Sequence, residues 1–452
     1  MVVFPGAVFR GRYKPIVIAA IITINLFMYF NTSLSSSNPL LVSSEESFYM
    51  YGFIPYYLFT EPVEGLRRVF TSMFIHADII HIFFNMYFLW IFGSRVEGII
   101  GHIKTLLLYL LSGLSAIFFH VAFIPIGGYG ALIIPAVGAS GAISGILGAY
   151  LLMLPRTKLT VCWFFLLIPF CFSLSAEAFM TIWFIQQVLY GYMRLGGVAY
   201  FAHIGGFVMG LLLTPLLVYR VVKPGLTPDI LRYIERVLGI IIPRPRGVHP
   251  VTKLVLVFLL LIITGSFLYA SISTADMKIY VSSIEVTCIN CEDAVNTTQS
   301  DRVVFVLVRS NLIETTSSQE NVRILVNRLV NTPYMYNTSL ASREEYINWS
   351  GEVNVLGVLV PVSVNMSAKY DELGVIVESS GVLSTLSVIV TPSGVSIGDF
   401  RILDFNITSS RFNRVGEIVS NLCLIVAGIS TLAIISVVIS KGIVLYSREY
   451  FY

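Results

Sequence analysis

Two short strings place a reactive side chain inside otherwise apolar, membrane-length stretches: Ser140 within Gly138-Ala139-Ser140-Gly141, and His203 within Ala202-His203-Ile204-Gly205-Gly206. Polar and ionisable groups in hydrocarbon are costly, so residues of this kind are functional candidates by default. The pair has the chemistry of a nucleophile and its general base, which needs the base within about 2.6–3.2 Å of the hydroxyl. Two further hydrogen-bonding side chains, His81 and Asn85, stand at i and i+4 and so share one helical face. His76 lies five residues before His81, at the entrance to that helix.

Counting along the helices tests whether these groups can meet. Ser140 lies sixteen residues before Arg156 and His203 seventeen before Arg220, which is roughly 24 and 26 Å at 1.5 Å per residue. If the two helices run in the same direction, both residues sit some 4–6 Å below one edge of a ~30 Å hydrocarbon core. His81 and Asn85 lie fourteen and ten residues before Arg95, roughly 21 and 15 Å up by the same rule. Small residues permit close approach: Gly141, Gly145 and Gly148 recur at helical spacing, and His203, Gly206 and Gly210 follow i, i+3, i+7. Such faces let membrane helices pack closely.

The composition demands a membrane. Of 452 residues 56% are hydrophobic and 12% charged, with a mean hydropathy of +0.81, about half the charge of a soluble domain. A net charge of +3 without a long basic run argues against a nucleic-acid partner. Five cysteines exclude a disulfide-dense small domain. Cys162, Cys171 and Cys423 fall in apolar stretches, while Cys288 and Cys291 form one C-x-x-C, read as a disulfide or as unpaired thiols. No metal or other cofactor is expected. His76 and His81 are wrongly spaced for one helical face, and no H-E-x-x-H occurs.

Apolar stretches of spanning length fall near 14–32, 79–99, 103–126, 138–154, 176–193, 200–219, 252–272 and 417–440. The first follows Arg10, Arg12 and Lys14 without an A-x-A-like cleavage site, so it reads as a retained span. The apolar segment 159–174, with Pro169, is expected to be a short interfacial or re-entrant piece. Basic residues orient the set: Arg95 and Lys104, Arg156 and Lys158, and Arg220 to Lys253 fall on one side together with the amino terminus. The positive-inside rule then makes both termini cytoplasmic and residues 273–415 extracellular. That outer segment holds short β-branched runs separated by Gly, Ser, Asn and Pro, as in an antiparallel, sandwich-like domain. N-x-S/T sequons begin within it at Asn296, Asn337, Asn348, Asn365 and Asn406. The expected organisation is a six-helix core over 1–222, a Pro-rich basic linker over 223–250, a seventh helix over 251–272, the β-rich domain over 273–415, an eighth helix over 416–440 and a tail over 441–452.

Three blocks together resemble the rhomboid intramembrane serine proteases: His76-Ala77-Asp78-Ile79-Ile80-His81-Ile82-Phe83-Phe84-Asn85-Met86; Gly138-Ala139-Ser140-Gly141; and Ala202-His203-x-x-Gly206-x-x-x-Gly210. Gly93-x-x-x-Glu97-x-x-x-Gly101 is a fourth, supporting element. The resemblance covers about residues 10–222 and implies a multi-pass α-helical fold in the cell membrane. It implies Ser140 as nucleophile, His203 as general base, and His81, Asn85 and the Ser140 N–H as the oxyanion hole. Gly138 would support the site, His76 would organise water, and Glu97 would be structural. Single-span membrane proteins are the implied substrates, cut in or near their transmembrane helix. Two departures are visible: Arg67-Arg68 where some members have Trp-Arg, and Ser144 where some place a tyrosine under the histidine. The alternative is a rhomboid-like protein that binds or escorts membrane clients without cleaving them. For residues 273–415 two readings stay open: recruitment of substrates or another outside ligand, and a structural contact domain.

Overall fold

The computed structural model describes residues 2–5, 13–165, 168–218, 247–290, 298–314, 317, 319–355, 357–391 and 394–440. Most of the expected linker 223–250, the tail 441–452, Asn296 and Cys291 lie outside these residues. The chain divides into two compact units. One comprises Met1–Gly127, Ile134–Ser273 and Val419–Tyr452; the other comprises Gly128–Ile133 and Thr274–Ile418.

The first unit is helical. Its principal helices are α1 (Ile16–Leu34), α2 (Pro62–Thr71), α3 (Ile79–Ile100), α4 (His102–Gly127), α5 (Ser140–Met153), α6 (Ala176–Tyr192), α7 (Tyr200–Val218) and α8 (Pro250–Thr274). With α10 (Val415–Ile439), six of the described helices are long and apolar enough to cross a membrane: α1, α3, α4, α7, α8 and α10. Helix α5 is shorter, at 14 residues, and every residue from Gly141 to Met153 is buried, so it forms the centre of the bundle. Its glycines allow that. A Cβ at Gly206 on α7 would overlap the carbonyl oxygen of Gly141 on α5, so the two backbones touch. Helix α4 closes the third side, where the Ser115 hydroxyl donates to the Gly205 carbonyl at 2.9 Å.

Charged side chains hold the helix ends. Glu97, fully buried, accepts the N–H groups of Val17 and Ile18 at 2.9 Å each. These are donors that the first turn of α1 cannot pair for itself, and a carboxylate there also complements the helix dipole. Lys104 donates to the Leu217 carbonyl in the last turn of α7, where a cation is favoured. Helices α8 and α10 seat against α4 and α7. Phe267 lies edge-on to Phe119 at 5.5 Å and to Phe201 at 6.0 Å, and Ser436 donates to the Leu211 carbonyl at 2.8 Å.

The segment expected to be an interfacial or re-entrant piece is a β-hairpin. Strands β2 (Lys158–Phe165) and β3 (Ile168–Ser175) pair antiparallel, and β1 (Val2–Pro5) adds to β2. The run is rich in β-branched and aromatic residues, which favour strands. Pro5 and Pro169 both fall on edge strands, the place in a sheet where proline is tolerated. Cys162 stands directly opposite Cys171 and is disulfide-bonded to it.

The second unit is built on one antiparallel sheet of seven strands, a half-barrel. Its strands are β4 (Lys278–Cys288), β5 (Thr298–Val308), β6 (Asn311–Glu314), β7 (Glu344–Val355), β8 (Val358–Tyr370), β9 (Ile376–Thr391) and β10 (Gly394–Phe412), in the order β6-β5-β4-β10-β9-β8-β7. This corrects the sandwich-like expectation, because no second sheet stacks on it among the described residues. Alternate residues of β8 from Val360 to Tyr370 are buried, and the apolar face packs on helix α9 (Glu320–Val330) through Val322, Leu325, Val326 and Leu329. The opposite face carries Asn348, Asn365, Asn406 and neighbouring serines, all polar and needing no cover. Tyr280, Arg411 and the backbone N–H groups of Leu373 and Val375 all donate to Asp371, tying strand ends to a turn. Cys288 is disulfide-bonded.

Candidate active site

Ser140 is the first residue of α5 and His203 lies in the first turn of α7. Because the two helices run in register along their glycine contact, their starts stand side by side, and Ser140 Oγ lies 2.7 Å from His203 Nε2. Both residues are partly exposed rather than sealed. The other ring nitrogen, Nδ1, lies 2.8 Å from Gln187 Oε1 on α6. Trp183, one turn earlier on α6, sits beside the imidazole with ring centroids 6.2 Å apart. Ser144 turns its hydroxyl back to the Ser140 carbonyl at 2.7 Å, so the aromatic neighbour of His203 comes from α6 and not from α5.

Helix α3 brings the second histidine. Asp78 caps its start by accepting the His81 N–H at 2.8 Å, a favoured N-cap arrangement. The Ala77 N–H donates to His81 Nδ1 at 3.3 Å, so the neutral ring carries its proton on Nε2. That Nε2–H is directed at Gly138: a Cβ there would lie 2.8 Å from His81 Nε2 and 3.7 Å from Ser140 Oγ. Gly138 also has φ +119°, in the left-handed region that glycine adopts without strain. Its N–H donates to the Ser72 carbonyl at 2.9 Å. A hydrogen-bond donor, a hydroxyl and an imidazole base therefore face one small space. The N–H groups of the first turn of α5 open toward the same end, since no residue of that helix can accept from them.

Asn85 is buried and donates one amide hydrogen to the His81 carbonyl, a turn earlier, at 2.9 Å. An amide has a second hydrogen to offer. His76 is completely buried and its Nε2 accepts the Ala139 N–H at 3.4 Å. It is tied to the backbone just before Ser140 and not to solvent. Of the six expected site residues, Ser140, His203, His81 and Gly138 meet directly, and His76 and Asn85 brace them. Among the described residues no group of three or more His, Cys, Asp or Glu side chains could hold a metal ion.

Three contributors have no reading from the sequence as site residues: Asp78, Trp183 and Gln187. An Asp three residues before His81 at a helix start carries an N-cap signature. Gln187 and Trp183 carry none, because one apolar helix gives no hint of which side faces a neighbour.

Residues 63–220 match the Rhomboid domain family. The chain is 32% identical over 178 residues to RHOMBOID-like protein 6, mitochondrial, of Arabidopsis thaliana, covering 38% of this chain and 50% of that protein. It is 32% identical over 199 residues to RHOMBOID-like protein 4 of the same plant, covering 43% and 44%. With Rhomboid protein 1, mitochondrial, of Saccharomyces cerevisiae it shares 29% identity over 145 residues, covering 31% and 39%. The chain spans about half the length, or less, of these relatives. The helical unit thus carries a Rhomboid domain over residues 63–220, and the chain is a multi-pass membrane protein.

Proposed function

We propose that this protein is a rhomboid-family intramembrane serine endopeptidase. The observation that carries the reading is the 2.7 Å contact between Ser140 Oγ and His203 Nε2 at the starts of two apolar helices. Ser140 attacks the scissile carbonyl while His203 takes its proton and returns it to the leaving amine, and water then releases the acyl group. The oxyanion is met by the His81 Nε2–H, the Ser140 N–H and the free hydrogen of the Asn85 amide. Loss of one such donor typically costs ~10²–10³ in rate.

The substrates are single-span membrane proteins cut in or beside their transmembrane segment. Helices α8 and α10 are two spans added to a six-helix core in the cell membrane, with both termini cytoplasmic and residues 273–415 outside, where they select or recruit substrates. Their removal can be tested without unseating α8 and α10. The ends of the β-rich segment meet, with the Gly416 N–H donating to the Met277 carbonyl at 2.9 Å, so residues 278–413 can be replaced by a short linker and cleavage compared across substrates.

The decisive test is Ser140→Ala with a transmembrane substrate reconstituted in lipid, together with labelling of the wild type by a fluorophosphonate. Cleavage is expected to vanish in the variant while folding is retained. Undiminished cleavage refutes the mechanism. A wild type that neither cleaves nor labels, but captures the substrate, identifies an escort protein.

A further inference from the structure

Among the described residues Gln187 is the hydrogen-bond partner on the far side of the His203 ring, and it is an unusual residue to find there. It is 6% exposed, in the middle of an apolar helix, with its Oε1 2.8 Å from His203 Nδ1. A buried amide is costly unless hydrogen-bonded. The other buried polar side chains of α6 find partners elsewhere: Thr181 donates to the Glu177 carbonyl on its own helix, and Glu177 accepts from the His249 backbone N–H. Gln187 alone turns its amide to the site.

We propose that Gln187 is a positioning residue for His203, fixing the imidazole in the tautomer that can act as a base. The inference rests on the proteolytic reading above. A neutral imidazole has one N–H donor and one bare acceptor nitrogen. With Oε1 accepting from Nδ1–H, the bare nitrogen is Nε2, the one that faces the Ser140 hydroxyl. When Nε2 takes the serine proton, the imidazolium keeps its Nδ1–H bond to the same oxygen. The amide dipole thus favours the charged ring without itself carrying charge. In aqueous serine proteases a buried carboxylate does this work. Within a bundle of apolar helices a second buried ion costs several kcal/mol of desolvation before any attraction is counted. A neutral oxygen acceptor avoids that cost and still selects the tautomer and the ring orientation.

The groups facing His203 leave few other candidates for the role. Helix α5 presents Ser140, α3 presents His81 as the titratable neighbour acting on the ring, and α6 presents Trp183 and Gln187.

Two variants of the full chain in lipid test the inference, with Gln187→Met as a volume-matched apolar replacement and Gln187→Glu as an acceptor that adds charge. Gln187→Met is expected to lower kcat by about 10- to 100-fold, the range for a hydrogen bond to an ionised group, with KM unchanged. Gln187→Glu is expected to keep more activity than Gln187→Met and to move the acidic limb of its kcat/KM–pH profile to higher pH, because a carboxylate favours the protonated ring. Thermal unfolding of each variant checks that the bundle is intact. A role in packing alone would leave the limb where the wild type has it, and that result overturns the inference, as does a wild-type kcat for folded Gln187→Met. Failure of the proteolytic reading looks different: the wild type itself would neither cleave nor label with a fluorophosphonate.

Discussion

The contact between Gly206 and Gly141 links packing to chemistry and can be broken by one methyl group. In Gly206→Ala the new carbon would overlap the Gly141 carbonyl oxygen and stand 3.3 Å from Ser144 Cβ. Ordinary van der Waals contact begins at about 3.5 Å, so α5 and α7 must part by about 1.5–2 Å to admit it. No flexible side chain can yield, because the obstacle is backbone. Ser140 immediately precedes Gly141, and His203 lies one turn before Gly206, so the separation opens where the hydroxyl meets the imidazole. A contact of 2.7 Å would stretch beyond hydrogen-bonding range. Misplacement by about 1 Å is worth on the order of 10²-fold in rate, and overpacking costs about 1–3 kcal/mol of stability. The assay is cleavage of a transmembrane substrate in proteoliposomes, with fluorophosphonate labelling and thermal unfolding on the same preparations. Gly265→Ala on α8 is the matched control, since nothing lies within 4 Å of its added carbon. If Gly206→Ala cleaves at the wild-type rate and unfolds at the wild-type temperature, the two backbones do not touch and the account of the site fails.

Other consequences are open to direct measurement. Glu97→Gln removes the charge from the group that receives the Val17 and Ile18 N–H bonds; thermal unfolding should show a loss of about 1–2 kcal/mol, with little change in kcat for the protein that remains folded. In α2, the Glu64 carboxyl is held down at about 2, chiefly by the hydrogen bond from Arg67, with Arg68 adding to it and burial opposing. A depressed carboxylate stabilises the fold above its ordinary value of 4.5 and loses that contribution as pH falls through about 2. Amide exchange over 62–71 should therefore be slower in the wild type than in Glu64→Gln near neutral pH, and the difference should vanish at the acid end. Alkylation without reduction, followed by peptide mass analysis, should leave Cys162 and Cys171 unmodified as a bridged pair; modification of both would remove the covalent tie across the hairpin.

Much of the site's placement can be read from arithmetic on the sequence. Counting from Arg156 and Arg220 sets Ser140 and His203 at one level, and the glycine spacing on each helix supplies the faces that let them touch. Position along a helix axis is fixed by residue count, whereas rotation about the axis is fixed by neighbours the sequence does not name. Gln187 and Trp183 were illegible for that reason, as was the turning of Ser144 onto its own helix. The hairpin over 158–175 is not legible because a short apolar run suits a strand or a membrane-surface piece equally well, and only pairing with Val2–Pro5 and the Cys162–Cys171 bridge separates them. The same ambiguity explains the missing second sheet. Alternating burial in β7 and β8 is identical whether the apolar face meets another sheet or a helix, and here it meets α9, whose charged residues hid its apolar stripe.

On the proteolytic reading, the length of α5 bears on how water reaches a site inside a bundle of apolar helices. Fourteen residues rise about 21 Å, well short of a ~30 Å hydrocarbon core, whereas α4 with 26 residues rises about 39 Å. On that reading, a short central helix walled by longer ones sets its first residue, Ser140, back from the outer ends of its neighbours. The chain leading into it is not helical, and irregular backbone at membrane depth is tolerated only where protein or water satisfies it. Here the protein does so: Phe53 and Ala136 exchange both their N–H bonds at 2.8–2.9 Å, and Ser72 accepts from Gly138. The long segment between α1 and α3 thus braces the entry to α5. It is itself pinned by buried Arg68, which donates to Glu64 and to the carbonyl oxygens of Tyr49 and Gly52. On the same reading, water reaches Ser140 from the end where α5 stops short and needs no polar channel through the helices.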